Sequence, residues 1–215
     1  MLSRLKLVSA NQYYMDEVRY MEKQNKLEAK DLINIGIFTV VYFMIEFAVS
    51  MLGYIPIFNL LLVFLCPLVC GIPSIFYIVK VKKFGVISIT GILLGLLYML
   101  MGGGIVVLAF GIIFGFLGDL IIKKGKYEQW KYISIGYSVF SFWIVGCVAR
   151  LFIGREAYLA KVAEGYGKVY AESLRMYTPY WIIPVLFIIS FIGAYLGSLL
   201  GKSILKKHLK KAGIV

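Results

Sequence analysis

The chain has 215 residues, of which 61% are apolar and only 16% charged, and its mean hydropathy is +0.86. Soluble domains average about 45–50% apolar and about 25% charged residues, so a soluble enzyme, a disordered chain and a disulfide-rich secreted module are all excluded. The net charge of +12 acquires meaning only from where the basic residues fall.

Residues 1–30 contain no apolar stretch of the secretory kind and read as a cytoplasmic N-terminal segment, a frayed soluble helix with Met15 and Met21 as alternative starts. Six long runs with few charges follow, at residues 31–52, 55–79, 84–101, 104–122, 132–153 and 180–201. Each is close to the ~20 residues a helix needs to cross a bilayer. A run such as Ile112 to Leu117 lacks the alternation of a barrel strand. The expected fold is therefore an all-α membrane protein: six transmembrane helices over residues 31–205, then a basic tail at 206–215.

Lys80, Lys82 and Lys83 lie in the second connection, and Lys123, Lys124, Lys126 and Lys131 in the fourth. More basic residues flank the six spans at both chain ends, whereas the first connection (Gly53, Tyr54) and the third (Gly102–Gly104) carry no charge. The positive-inside bias places both termini in the cytoplasm, which an even number of spans satisfies. The charge thus reports orientation and contact with anionic lipid, and nucleic acid is not an expected partner.

The fifth connection, residues 154–179, falls on the outside. Its apolar positions, among them Leu159, Val162, Tyr166, Tyr170, Leu174 and Tyr177, recur at three- and four-residue steps. That pattern predicts an amphipathic external helix between spans five and six, bent at Gly165 and Gly167. Two readings stand for it: a helix resting on lipid headgroups, or a lid over an outward-facing cavity.

Several chemistries are missing. The single histidine, His208, lies in the tail, which excludes an intramembrane His-Glu-x-x-His site or a Ser-His-Asp triad. The run Gly197 to Ser203 has Leu196 where a phosphate loop requires glycine, so this chain does not use ATP unaided. Cys66, Cys70 and Cys147 lie within spans without a histidine beside them and read as packing residues, not metal ligands. No enzymatic activity and no bound cofactor are expected.

Polar groups inside the spans carry the functional signal, because a charge at mid-span costs about 2.5–3.5 kcal/mol on insertion scales. Glu46 lies roughly 22 Å along the first span and Arg150 roughly 27 Å along the fifth, at a similar outer depth. They are expected either to pair as a structural ion pair or to form the floor of a substrate cavity. Asn59, Trp143, Tyr54 and Tyr180 lie near the same level and complete the candidate substrate site; the aromatic ones also suit interfacial anchoring. Asp119 has Lys123 one turn on, the spacing of a local ion pair. Pro56, Pro67 and Pro73 with Gly71 predict a kinked second span.

Gly193, Gly197 and Gly201 share one face of the sixth span, and the stripe reads as a surface for another molecule. Gly91 and Gly95 in the third span, and Gly111, Gly115 and Gly118 in the fourth, are explained by internal packing.

The run Lys30 to Thr39, the Gly53-Tyr-Ile-Pro-Ile57 corner, Cys66 to Pro73, Lys80 to Gly85, Gly91 to Gly95, and Phe110 to Gly115 together resemble the Trep/Strep integral membrane family over roughly residues 27–205. That family is regarded as a group of substrate-binding S components of energy-coupling-factor (ECF) transporters. The resemblance implies a six-helix subunit that captures a micronutrient from outside. It would deliver the ligand through a membrane T component powered by two ATPases. S components face the T component with their first, second and sixth helices through small residues, often Ala-x-x-x-Ala on the first; the matching positions here are Gly36 and Val40, supplemented by Gly193, Gly197 and Gly201. The competing reading is a stand-alone ion-coupled secondary permease with Glu46 as its protonatable group, although inverted repeats are not visible.

Overall fold

A computed structural model describes residues 27–211, with side chains described as far as Lys207. The segment before residue 27, with its alternative starts, and the end of the basic tail lie outside the described residues. Every regular element among those described is helical.

Helix α1 spans Ala29–Ser50 and is prolonged by a tighter turn, Met51–Tyr54. Helix α2 runs Pro56–Val81, with proline at its first position where the missing N–H costs nothing, and continues through Pro67 and Pro73. Helix α3 covers Val86–Tyr98 and opens into a wide turn at Met99–Gly103. Helix α4 is Ile105–Lys124. The fifth span is broken into α5, Trp130–Phe140, and α6, Trp143–Val148, the latter extended by Ala149–Leu151. Two short helices, α7 (Arg155–Tyr166) and α8 (Lys168–Tyr177), precede the long α9, Ile182–Lys211.

Six of these segments are long and apolar enough to cross a membrane: 29–54, 56–81, 86–103, 105–124, 130–151 and 182–207. They coincide with the runs read from hydropathy to within a few residues at most ends.

Close backbone approach organises the bundle. Helix α9 packs chiefly on α2, and α3 on α4. A Cβ added at Gly197 would lie 2.4 Å from the Leu68 carbonyl oxygen, and one at Gly193 2.4 Å from that of Phe64. Gly201 meets the Gly71 carbonyl in the same way. The sixth-span stripe is therefore buried against α2 and does not face outward, which corrects the expectation that it docks another molecule. Gly91 and Gly111 approach each other equally closely between α3 and α4, as internal packing required.

Polar side chains repair the irregular points. Where α5 gives way to α6, Ser141 Oγ donates to the Ser138 carbonyl at 2.7 Å and lies 3.0 Å from Ser190 Oγ of α9. The Tyr137 hydroxyl donates to the Pro67 carbonyl at 2.8 Å. Such partners are what let non-helical backbone persist at membrane depth.

The two ends of the bundle differ. At one, Lys83 Nζ lies 2.7 Å from Asp31 Oδ2, Lys82 pairs with Glu128, and Lys202 sits over the Trp130 ring. At the other, the uncharged α1–α2 and α3–α4 turns gather beneath α7 and α8, and the positive-inside bias assigns this end to the outside.

Asp119 does not form the expected local pair with Lys123. Its Oδ2 accepts from Gly85 N at 3.0 Å, Ser88 N at 2.8 Å and Ser88 Oγ at 2.7 Å, while Lys123 lies over the Phe84 ring. The free N–H groups that open α3 outcompete an exposed ammonium for a buried carboxylate.

Candidate functional site

Beneath α7 and α8 lie two adjoining cavities, an inner one of about 140 Å³ and an outer one of about 350 Å³. Ser50, Asn59, Leu62, Tyr98 and Tyr158 contribute to both linings. The inner cavity is bounded by the outer halves of α1 and α2, the end of α3, and α6.

Glu46 occupies the inner cavity wall and is only 2% exposed. It reaches there because α1 turns Ile35, Thr39, Tyr42 and Glu46 inward, a stripe at three- and four-residue steps that buries one face. The Tyr98 hydroxyl donates to this carboxyl. Glu46 Oε2 is buried with no hydrogen-bond partner, an unusual state for a polar atom in a membrane domain.

The roof is a helical hairpin. Leu159 and Val162 of α7 pack with Ala171 and Leu174 of α8 over Leu151. The bend falls at Gly167, whose φ of +89° is accessible to glycine and strained for other residues. Arg155 donates to the Arg175 carbonyl and to Thr178 Oγ1, and Arg175 pairs with Glu156. The Tyr170 hydroxyl donates to the Gly53 carbonyl and interacts with Asn59, which ties the roof to the α1–α2 corner. Burial raises the Tyr170 phenol above its ordinary value, against the Asn59 hydrogen bond. Burial likewise raises Tyr158, against the opposing effect of Arg150. Of the two readings of residues 154–179, these contacts describe a cover over a cavity.

The sequence-predicted site residues divide. Glu46 and Asn59 line the inner cavity, and Tyr54 lines the outer one. Arg150 does not pair with Glu46: its Nη1 donates to the Gly102 carbonyl and its guanidinium lies 5.4 Å from the Tyr158 ring centroid. Charge complementarity suggested that pair, but the wide turn at Met99–Gly103, with φ of +99° at Gly102, brings the Gly102 carbonyl to the guanidinium instead. Trp143 is fully buried behind the site, its ring 5.4 Å from that of Tyr98, and so backs a wall residue without lining the cavity. Tyr180 is exposed at the start of α9, with Arg155 over its ring; this suits an interfacial anchor.

Residues not expected at the site complete the walls: Tyr98, Tyr158 and Ser50, together with Cys66 and Cys147, which the sequence assigned to packing alone. Tyr158, Tyr166 and Tyr170 belong to a four-residue progression, a signal that was present in the external loop. Cys66 and Cys147 are free thiols, and among the described residues no three His, Cys, Asp or Glu side chains are grouped as a metal site.

The profile of a family described as a hypothetical bacterial integral membrane protein (Trep_Strep) matches residues 29–211. The chain belongs to the Trep_Strep family. The match takes in all six candidate spans and the α7–α8 cover, so this Trep_Strep chain is a multi-pass bacterial integral membrane protein in contact with the lipid bilayer. No curated protein and no solved structure matches it.

Proposed function

We propose that this chain is the substrate-binding subunit of an ECF-type importer, capturing a small micronutrient outside the cell and delivering it through a T component driven by two ATPases. The observation that carries the reading is the covered cavity at the end assigned to the outside, with Glu46 at its inner wall among a few polar groups. A pre-formed concave site with few, well-placed polar groups is the ordinary form of a small-molecule site.

A second feature supports a membrane partner. Residues of α1 and α2, with Leu205 of α9, line an apolar groove of about 810 Å³ in the basic half of the bundle. Beside it α1 presents Ile33, Ile37, Val40 and Met44 outward, with Val40 59% exposed. A Cβ added at Gly36 would meet nothing within 4 Å. Gly36 and Val40 thus remain available for docking, whereas the α9 glycines are occupied by α2. In this reading the chain itself is not an enzyme and holds no cofactor; ATP is used by the partners. Release requires a docked state with lower affinity for the substrate than the free state.

Purification of the full chain from its host membrane without crosslinking tests this. A T component and ATPases should accompany it, and uptake should need ATP hydrolysis. Purified chain alone driving uptake into liposomes under a pH gradient, without ATP, would instead establish the ion-coupled permease.

A further inference from the structure

A carboxyl group buried in an apolar membrane domain is tolerated when it is protonated or when a cationic partner compensates its charge. Inside the fold Glu46 has only the Tyr98 hydroxyl, and Oε2 is left buried and unpartnered at the cavity wall. Among the described residues no lysine or arginine lines either cavity. Arg150, the nearest candidate in depth, is engaged by Gly102 and Tyr158.

The outer cavity has a matching character. Tyr54, Tyr158, Tyr166 and Tyr170 line it. The Tyr54 and Tyr166 ring centroids are 5.9 Å apart, and the Tyr166 and Tyr170 rings stack at 5.2 Å. Faces of such rings attract cations and flat apolar bodies and repel anions.

We propose that these cavities bind a small organic cation, an ammonium or protonated heterocycle carried on a flat apolar body. The cationic group meets Glu46 in the inner cavity and the body lies among the tyrosines of the outer one. The inner volume of about 140 Å³ restricts the charged head to a few heavy atoms, while the outer 350 Å³ admits a ring system. An anion would meet no lysine or arginine in either lining and would face negative ring faces. The carboxylate of a zwitterion would find only neutral donors such as Asn59. This inference rests on the reading of the cavities as a substrate site and names the class of substrate.

The test uses the full chain in detergent, with phenethylammonium as probe and 3-phenylpropionate as its anionic counterpart of similar shape. Saturable thermal shifts and calorimetry should show the ammonium probe binding at least about tenfold more tightly, the strength of a charge-assisted contact. Glu46→Gln should abolish that selectivity while leaving the ligand-free melting temperature close to wild type. Tyr166→Ala, which changes an exposed side chain, should weaken the ammonium probe by about three- to tenfold. Equal or tighter binding of the anion, no saturable response to the ammonium probe, or full selectivity in Glu46→Gln overturns the proposal. No readout requires a T component or ATP, so failure here is distinguishable from failure of the transport reading.

Discussion

Arg150 Nη1 donates to the carbonyl of Gly102, and this contact holds the α3–α4 turn against the end of the fifth span. The guanidinium is therefore a clamp on backbone, and its stacking on Tyr158 steadies one wall of the cavity. Arg150→Ala should cost about 1 kcal/mol of stability, from one hydrogen bond and one exposed stack. Arg150→Lys should recover little of it, because an ammonium cannot both stack flat and donate sideways. Melting temperatures in detergent check both, and a loss of ligand binding as large as that of Glu46→Gln would contradict this role.

Asp119 receives three donors from the start of α3. Replacing it with alanine leaves those buried donors unsatisfied and should cost about 2–4 kcal/mol. Lys123→Ala should change stability by less than about 0.5 kcal/mol, since no ion pair is lost. Denaturation of the two variants side by side distinguishes this cap from the helical i, i+4 pair that spacing alone suggests.

Two glycines separate internal from external packing. At Gly197 an added Cβ would be forced against the Leu68 carbonyl, so Gly197→Ala should destabilise by about 1–3 kcal/mol. At Gly36 the same change meets open space within a helix and should stabilise by about 0.5–1 kcal/mol. Gly36→Leu should leave the isolated chain folded but reduce recovery of a T component in co-purification.

The Tyr170 hydroxyl must be protonated to donate to Gly53. Burial raises its pKa above the ordinary value of about 10. The closed cover is fully stable below about pH 10. As pH rises from there towards the raised value, the open state ionises first and closure is lost. Hydrogen exchange across residues 154–179 should accelerate in that window. Tyr170→Phe should already exchange faster at neutral pH, by about five- to tenfold for one lost hydrogen bond, and respond less to alkali.

The alternation of apolar runs with basic connections made the membrane fold readable in the chain, since crossing hydrocarbon demands about 20 apolar residues whatever the neighbours do. Glu46 was readable for the same reason: a carboxylate at that depth is costly in any fold. Tyr98 lies at the end of a span, and nothing local marked it as the partner of Glu46.

Span number, the inside–outside assignment and the costly carboxylate follow from local composition, because transfer into a bilayer acts on each segment separately. Partner choice does not. Gly102 rather than Glu46 receives Arg150, Ser88 rather than Lys123 engages Asp119, and α2 rather than another molecule covers the α9 glycines. Each outcome is a competition among groups far apart in the chain, and it is decided only when packing sets which donor, acceptor or backbone surface comes within contact distance.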